Sequence, residues 1–168
     1  MCAITGIFSL SSPLSPGLIL EMTQALKHRG PDDEGYLALT KKSEDIFTSP
    51  LRGPDNSIDS EPHLETFNEN ALGFLGHRRL SILDLSNAGR QPMQYQEYLW
   101  IVHNGEIYNY LELRQELVNE GYRFKTETDT EVILAAYHRW GEDCVTHFNG
   151  DWAFCIVDRK QVPAFPFP

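Results

Sequence analysis

The sequence predicts an α+β fold in which helices pack on antiparallel sheets. Three observations carry that expectation: period-two alternation opens and closes the chain, capped amphipathic stretches lie between, and strands do not alternate strictly with helices. Residues 3–10 set Ile4, Gly6 and Phe8 against Thr5, Ile7 and Ser9, a short strand that begins almost at the terminus. Ser15 and Pro16 make an N-cap and N1 pair, and Ile19, Met22, Ala25 and Leu26 then share one helical face. Pro31 disfavours a helical Gly30, so residues 29–35 are expected to end that helix as a tight acidic loop. Residues 41–70 are polar and carry Pro50, Pro54 and Pro62, the pattern of a mobile surface insertion, and no element is assigned there. Residues 72–75, 77–83 and 98–103 read as further strands. Asn109 with Glu112 matches a capping box, followed by the stripe Leu113, Leu117 and Val118 and a stop at Gly121. Thr128 with Glu131 repeats the device, with Val132, Ile133, Ala136, Tyr137 and Trp140 as the buried face and Gly141 as the stop. Residues 151–158 form the last strand, Trp152, Phe154 and Ile156 facing one way and Ala153, Cys155 and Val157 the other. The proline-rich residues 161–168 interrupt any further sheet or helix.

The composition narrows the function. At 168 residues and 41% hydrophobic, the chain can bury one proper core. Lys plus Arg number 14 against 24 Asp plus Glu, a formal net charge of −10 that repels phosphate backbones and argues against a nucleic-acid partner. No stretch approaches the roughly 20 apolar residues of a membrane span. The opening Met1-Cys2-Ala3-Ile4-Thr5-Gly6 lacks the basic and apolar regions of a signal peptide, so a cytoplasmic protein is expected. Cys2, Cys144 and Cys155 are too few for a disulfide framework. Cys144 and His147 lie three residues apart with no third ligand nearby, so no metal site is expected.

Two places carry chemistry. Removal of Met1 would leave a thiol and a free α-amine on Cys2. The amine titrates near 7.7–8.0 and the thiol near 8.5, so the residue holds its own nucleophile and base. Taken alone, Cys2 reads better as a small hydrophobe beside the initiator. In Val102-His103-Asn104-Gly105-Glu106-Ile107-Tyr108-Asn109 a strand runs into an Asn-Gly pair, and a turn there would aim a side-chain amide and a backbone N–H at one point, as an oxyanion hole does. The same pair is the strongest short signal for a plain β-hairpin. Asp129, at a helix N-terminus, also suits a simple macrodipole partner. Strand alternation puts Arg78 opposite Arg79 and facing solvent. His28, His77 and His103 read as packing or loop-ordering residues.

Met1-Cys2, His28-Arg29-Gly30-Pro31-Asp32, Arg79-Leu80-Ser81-Ile82, Asn104-Gly105-Glu106-Ile107-Tyr108-Asn109 and the Thr126–Val132 segment occur in one order. Together they resemble the class II glutamine amidotransferases, a family of N-terminal-nucleophile hydrolases, and within it the glutaminase domains of the asparagine synthetase B type. The resemblance covers residues 1–160 apart from 41–70. It implies a four-layer αββα sandwich of two antiparallel sheets flanked by helices. It also implies hydrolysis of L-glutamine to glutamate and ammonia through a cysteinyl thioester. Carried over, Cys2 is the nucleophile with its own amine as base, and Asn104 and Gly105 form the oxyanion hole. Arg79 binds the α-carboxylate, a role that suits a paired-donor guanidinium, and Glu106 and Asp129 hold the α-ammonium.

The domain itself is expected to need no cofactor. ATP and Mg2+ belong to an ammonia-accepting synthetase domain whose Ser-Gly-Gly-x-Asp-Ser loop has no counterpart in the sequence, so that partner is expected to be absent. A homodimer is compatible with the resemblance. Ala3 stands where the family often has glycine. A domain serving another acceptor, such as a sugar or natural product, and a catalytically silent glutamine-binding remnant remain as alternatives.

Overall fold

The structure, a computed structural model, describes residues 2–9, 11–42, 45–52, 63–81 and 87–161. Met1, the ends of the expected strands at Leu10 and at 82–83, residues 53–62 of the expected insertion and the tail beyond Gln161 lie outside the described residues. In chain order the elements are β1 (Ala3–Phe8), α1 (Pro16–Gln24), β2 (Asp33–Lys42), β3 (Asp45–Arg52), β4 (Ala71–Arg79), β5 (Met93–Tyr95), β6 (Leu99–Ile107), α2 (Tyr110–Asn119), α3 (Asp129–Trp140) and β7 (Gly150–Asp158). One antiparallel sheet has the order β1-β4-β2-β3 and the other β5-β6-β7.

Period-two alternation places each strand's side chains on two faces, and both faces are used. Leu37, Leu39 and Leu75 of the first sheet meet Trp100, Val102 and Val157 of the second, with Ile4 and Cys155 at the margin. The opposite residues of the first sheet, Tyr36, Ala38 and Phe74, pack under Ile19 of α1 and Leu64. Those of the second, Leu99 and Ile101, lie against Leu113 and Leu117 of α2 and residues 132–136 of α3. The result is helix on sheet on sheet on helix, an α+β sandwich of four layers. The last strand divides as its alternation requires: Trp152, Phe154 and Ile156 join the helical side, Cys155 and Val157 the inter-sheet side.

Several local expectations are corrected. The acidic pair Asp33 and Glu34 opens β2 rather than closing a loop, because both pair in register with Arg79 and Arg78 of β4. Part of the 41–70 stretch is structured: β3 pairs with β2 at the open edge of its sheet, a place where polar composition is tolerated, and Leu64 is buried. Arg78 does face away from Arg79, but that side is covered by α1, and Arg78 is 1% exposed in an ion pair with Glu34. Ala25 is exposed and Thr23 takes the buried place on α1. Ser15 caps that helix as expected, accepting from Gly17 N at 3.3 Å. Thr128 likewise accepts from Glu131 N at 3.2 Å. The Glu131 carboxylate, however, takes Lys125 N and Thr126 N instead of returning to the cap. Asn109 makes no capping bond. Its amide spans to the approach of β7, donating to His147 O at 3.0 Å and accepting from Asn149 N at 2.9 Å.

Candidate active site

The register of the first sheet builds the site. Ala3 pairs with Arg78, so one step further along both strands Cys2 comes beside Arg79. Leu80 N donates to Cys2 Sγ at 3.3 Å, the sulfur lies 3.6 Å from Leu80 O, and Arg29 Nε donates to Cys2 O at 3.3 Å. The first described residue is therefore held by three contacts. From the second sheet comes the end of β6, and the N-terminus of α3 adds Thr128, Asp129 and Thr130. A pocket of about 270 Å³ opens among these elements, with Cys2, Arg79, Gly105, Glu106 and Asp129 in its wall. That volume lies near the lower end of small-molecule sites, about 300–1,000 Å³, and suits an amino acid better than a nucleotide.

Asn104 is placed differently. β6 does not turn at the Asn-Gly pair: it runs straight to Ile107, with Asn104 opposite Ala153 and Gly105 opposite Trp152 in β7. Both the expected turn and the hairpin alternative are thereby corrected. Glycine is needed at 105 for another reason. Its φ is +143°, and a Cβ there would fall 2.2 Å from Asp151 O and 2.5 Å from Trp152 Cα. Asn104 is not among the pocket's wall residues, and its side-chain oxygen is buried without a hydrogen-bond partner among the described residues.

Asp129 is 5% exposed, and its carboxylate reaches across from α3 to accept Ile107 N at 3.1 Å. The macrodipole of α3 favours a charge at that position. Charged wall residues are Arg79 against Glu106, Asp129 and Asp151. One cation set among carboxylates matches a zwitterion that presents a single carboxylate and an ammonium.

Two histidines lie at the pocket, His103 in its wall and His77 bonded to His103. His77 Nε2 donates to His103 O at 3.1 Å, and His103 Nδ1 meets Thr130 Oγ1 at 3.2 Å. Burial pushes the His77 ring down to about 3, aided by the nearby His103 and arginine charges and opposed by the bond to His103 O. Burial lowers His103 as well, partly offset by Asp129. Burial thus makes both rings weaker proton acceptors than a free imidazole. The depressed value has a stability consequence. An unfolded histidine gains its proton near 6.5, whereas folded His77 resists until about 3. The unfolded chain thus binds more protons across that window, and stability is full above pH 6.5 and lost as pH falls towards 3. Urea titrations should show the stability gap between the native chain and His77→Gln narrowing by roughly 2–3 kcal/mol from pH 7 to 4.5; a constant gap would contradict this.

Sequence reasoning left out Gly89, Gln91, Tyr108, Thr128, Thr130 and Asp151, all of which line the pocket. Gln91 accepts from His103 N and donates to Thr130 Oγ1 at 3.3 Å, tying the loop after β4 to both β6 and α3; a glutamine before a proline carries no signal for that. Tyr108 OH donates to Asp151 Oδ2 at 3.0 Å across the mouth. Tyr108 did have a signal, since it lies inside the Asn104–Asn109 motif. Among the described residues no cluster of three His, Cys, Asp or Glu could hold a metal ion, and no helix is long and apolar enough to cross a membrane.

Comparison with known proteins gives the family. The sequence profile of the glutamine amidotransferase domain matches residues 48–165. Asparagine synthetase (glutamine-hydrolyzing) 1 of Bacillus subtilis is 39% identical over 96% of this chain and 21% of its own length. Asparagine synthetase B (glutamine-hydrolyzing) of Escherichia coli is 34% identical over 96% of this chain and 24% of its own. The chain thus spans about a quarter or less of the length of these relatives. Among solved structures, the glutamine phosphoribosylpyrophosphate amidotransferase of B. subtilis superposes with a TM-score of 0.70 at 23% identity, covering 95% of this chain and 35% of that one. At that identity the likeness speaks for the fold.

Proposed function

The chain belongs to the class II glutamine amidotransferase family, and from that premise we propose that it hydrolyses L-glutamine to glutamate and ammonia at Cys2, as the glutaminase part of a glutamine-hydrolysing asparagine synthetase. Once Met1 is removed, the Cys2 amine takes the thiol proton and Sγ attacks the side-chain carboxamide carbon. The negative oxygen of the tetrahedral adduct accepts hydrogen bonds from the Asn104 side-chain amide and Gly105 N–H; one such donor is typically worth about 2.7–4 kcal/mol of barrier. The amine passes its proton to the departing nitrogen, ammonia leaves, and a thioester remains. Water then adds with the amine as base, freeing glutamate and restoring the thiol. Arg79 binds the α-carboxylate, and Asp129 and Glu106 the α-ammonium. The hydrolysis needs no metal or cofactor; ATP and Mg2+ serve the synthetase region that consumes the ammonia. On the same reading the protein acts in the cytoplasm.

The observation that carries this reading is the register that brings Cys2 beside Arg79, in a pocket that Asp129 also lines. It is tested by Arg79→Lys. An ammonium cannot reproduce a two-point contact with a carboxylate, so KM for glutamine should rise about tenfold or more with kcat little changed. An unchanged KM in steady-state ammonia release would remove Arg79 from the site.

A further inference from the structure

We propose that Gly89 is a positioning residue that sets where the Arg79 guanidinium lies and so makes the pocket selective for an α-carboxylate. The inference rests on the glutamine-binding reading above. Gly89 ends the 3-10 turn Asn87–Gly89, is buried and lines the pocket. A Cβ there would fall 2.5 Å from Arg79 Nη2, 3.3 Å from Arg79 Cζ and 3.3 Å from Thr128 Cγ2. The guanidinium therefore lies against the bare backbone of the turn, next to the residue that caps α3.

The backbone does not explain the glycine. Gly89 is not among the glycines with positive φ, so alanine is conformationally allowed and the missing side chain serves the contact alone. What a methyl group would meet is the end of a flexible side chain, which can move without unfolding the protein. The guanidinium would move instead. Because Thr128 touches the same point and precedes Asp129, the turn sets the distance between the cation and the anion that hold the α-carboxylate and α-ammonium of an amino acid.

The test is Gly89→Ala, read by titration calorimetry in the Cys2→Ala chain, where substrate is bound without turnover. The ligands are L-glutamine and its α-amide, which replaces the α-carboxylate with a neutral carboxamide. Kd for L-glutamine should rise about tenfold or more, the scale of one lost charge-assisted hydrogen bond, while Kd for the α-amide stays the same. In an Arg79→Ala background Gly89→Ala should add nothing further, since it acts through the guanidinium. Unchanged glutamine binding, equal weakening of both ligands, or an added loss without Arg79 would each overturn the proposal. Should Gly89→Ala prove insoluble, Arg79→Ala/Gly89→Ala must be soluble, because the clash is gone; insolubility of that pair overturns it too. A chain that binds glutamine but hydrolyses none defeats the function proposed above and leaves this inference intact, whereas one that binds no glutamine defeats both.

Discussion

Replacing Cys2 with alanine should lower ammonia release from glutamine by at least about 10⁴-fold, the scale on which loss of a nucleophile is felt, while leaving thermal unfolding nearly unchanged. The structure separates these two effects. Cys2 precedes β1, which begins at Ala3, and is only partly buried. The sulfur's contacts with Leu80 N and Leu80 O are what an alanine forfeits, and those backbone groups can turn to water in the open pocket. Nothing in the hydrophobic layers depends on the thiol. Serine at the same position is expected to recover little, because a hydroxyl is a far weaker nucleophile beside the same amine. The chain with Met1 retained should behave like the alanine variant while still holding its thiol, since an amide nitrogen is not a base. Intact mass before and after exposure to an electrophilic glutamine analogue distinguishes the cases: one adduct on processed chain, none on Cys2→Ala. Ammonia release that survives Cys2→Ala would defeat the assignment of the nucleophile.

The motifs were informative because they lie where strand register is strict. A one-residue slip reverses every side chain of a strand, so Ile4, Leu75, Val102 and Val157 could fill the inter-sheet core in only one arrangement. That arrangement carries Cys2, Arg79, Gly105 and Glu106 into one pocket. What stayed hidden depended on the partner element rather than on the local pattern. The Asn-Gly pair looks like a turn, but β7 lies close enough to extend pairing through it, and only the approach of Asp151 shows why glycine stands there. Arg78 looks solvated because alternation says which side a residue faces and not what covers that side. Asn109 looks like a cap from Glu112 three residues on, whereas its bonds run to His147 and Asn149, some 40 positions away. Gly89 was silent for the same reason: its contact, the end of the Arg79 side chain, is set by a loop ten residues on.

Exchanging Glu34 for glutamine should destabilise the chain by about 3–5 kcal/mol, the cost of leaving one member of a buried ion pair without its counter-charge. Glu34 Oε2 accepts from the Arg78 guanidinium, from Gln24 Nε2 at 3.0 Å and from Tyr36 OH at 3.1 Å, while Arg78 Nε donates to Gly30 O at 3.0 Å. The carboxylate thus gathers α1, β2 and β4 around one point beneath α1. Burial, with the carboxylate's own field, pushes the Tyr36 hydroxyl far up, so tyrosine stays a donor there. A neutral amide offers one oxygen where the carboxylate offered a charge, and its NH2 group would point donors at donors. For a chain of this size the loss corresponds to a fall in Tm of about 6–20 °C, measurable by calorimetry. Ion pairs of this kind are often no more stabilising than well-packed apolar side chains, which supplies the discriminating second measurement. Glu34→Gln combined with Arg78→Met should recover much of the loss, because the uncompensated charge is gone along with its partner. If the single variant unfolds within about 0.5 kcal/mol of the native chain, the pair is not what joins α1 to the sheet. The two arginines of β4 would then divide differently: Arg79 faces the pocket, and its affinity for glutamine should survive loss of the pair so long as the strand remains folded, since the pair lies on the opposite face.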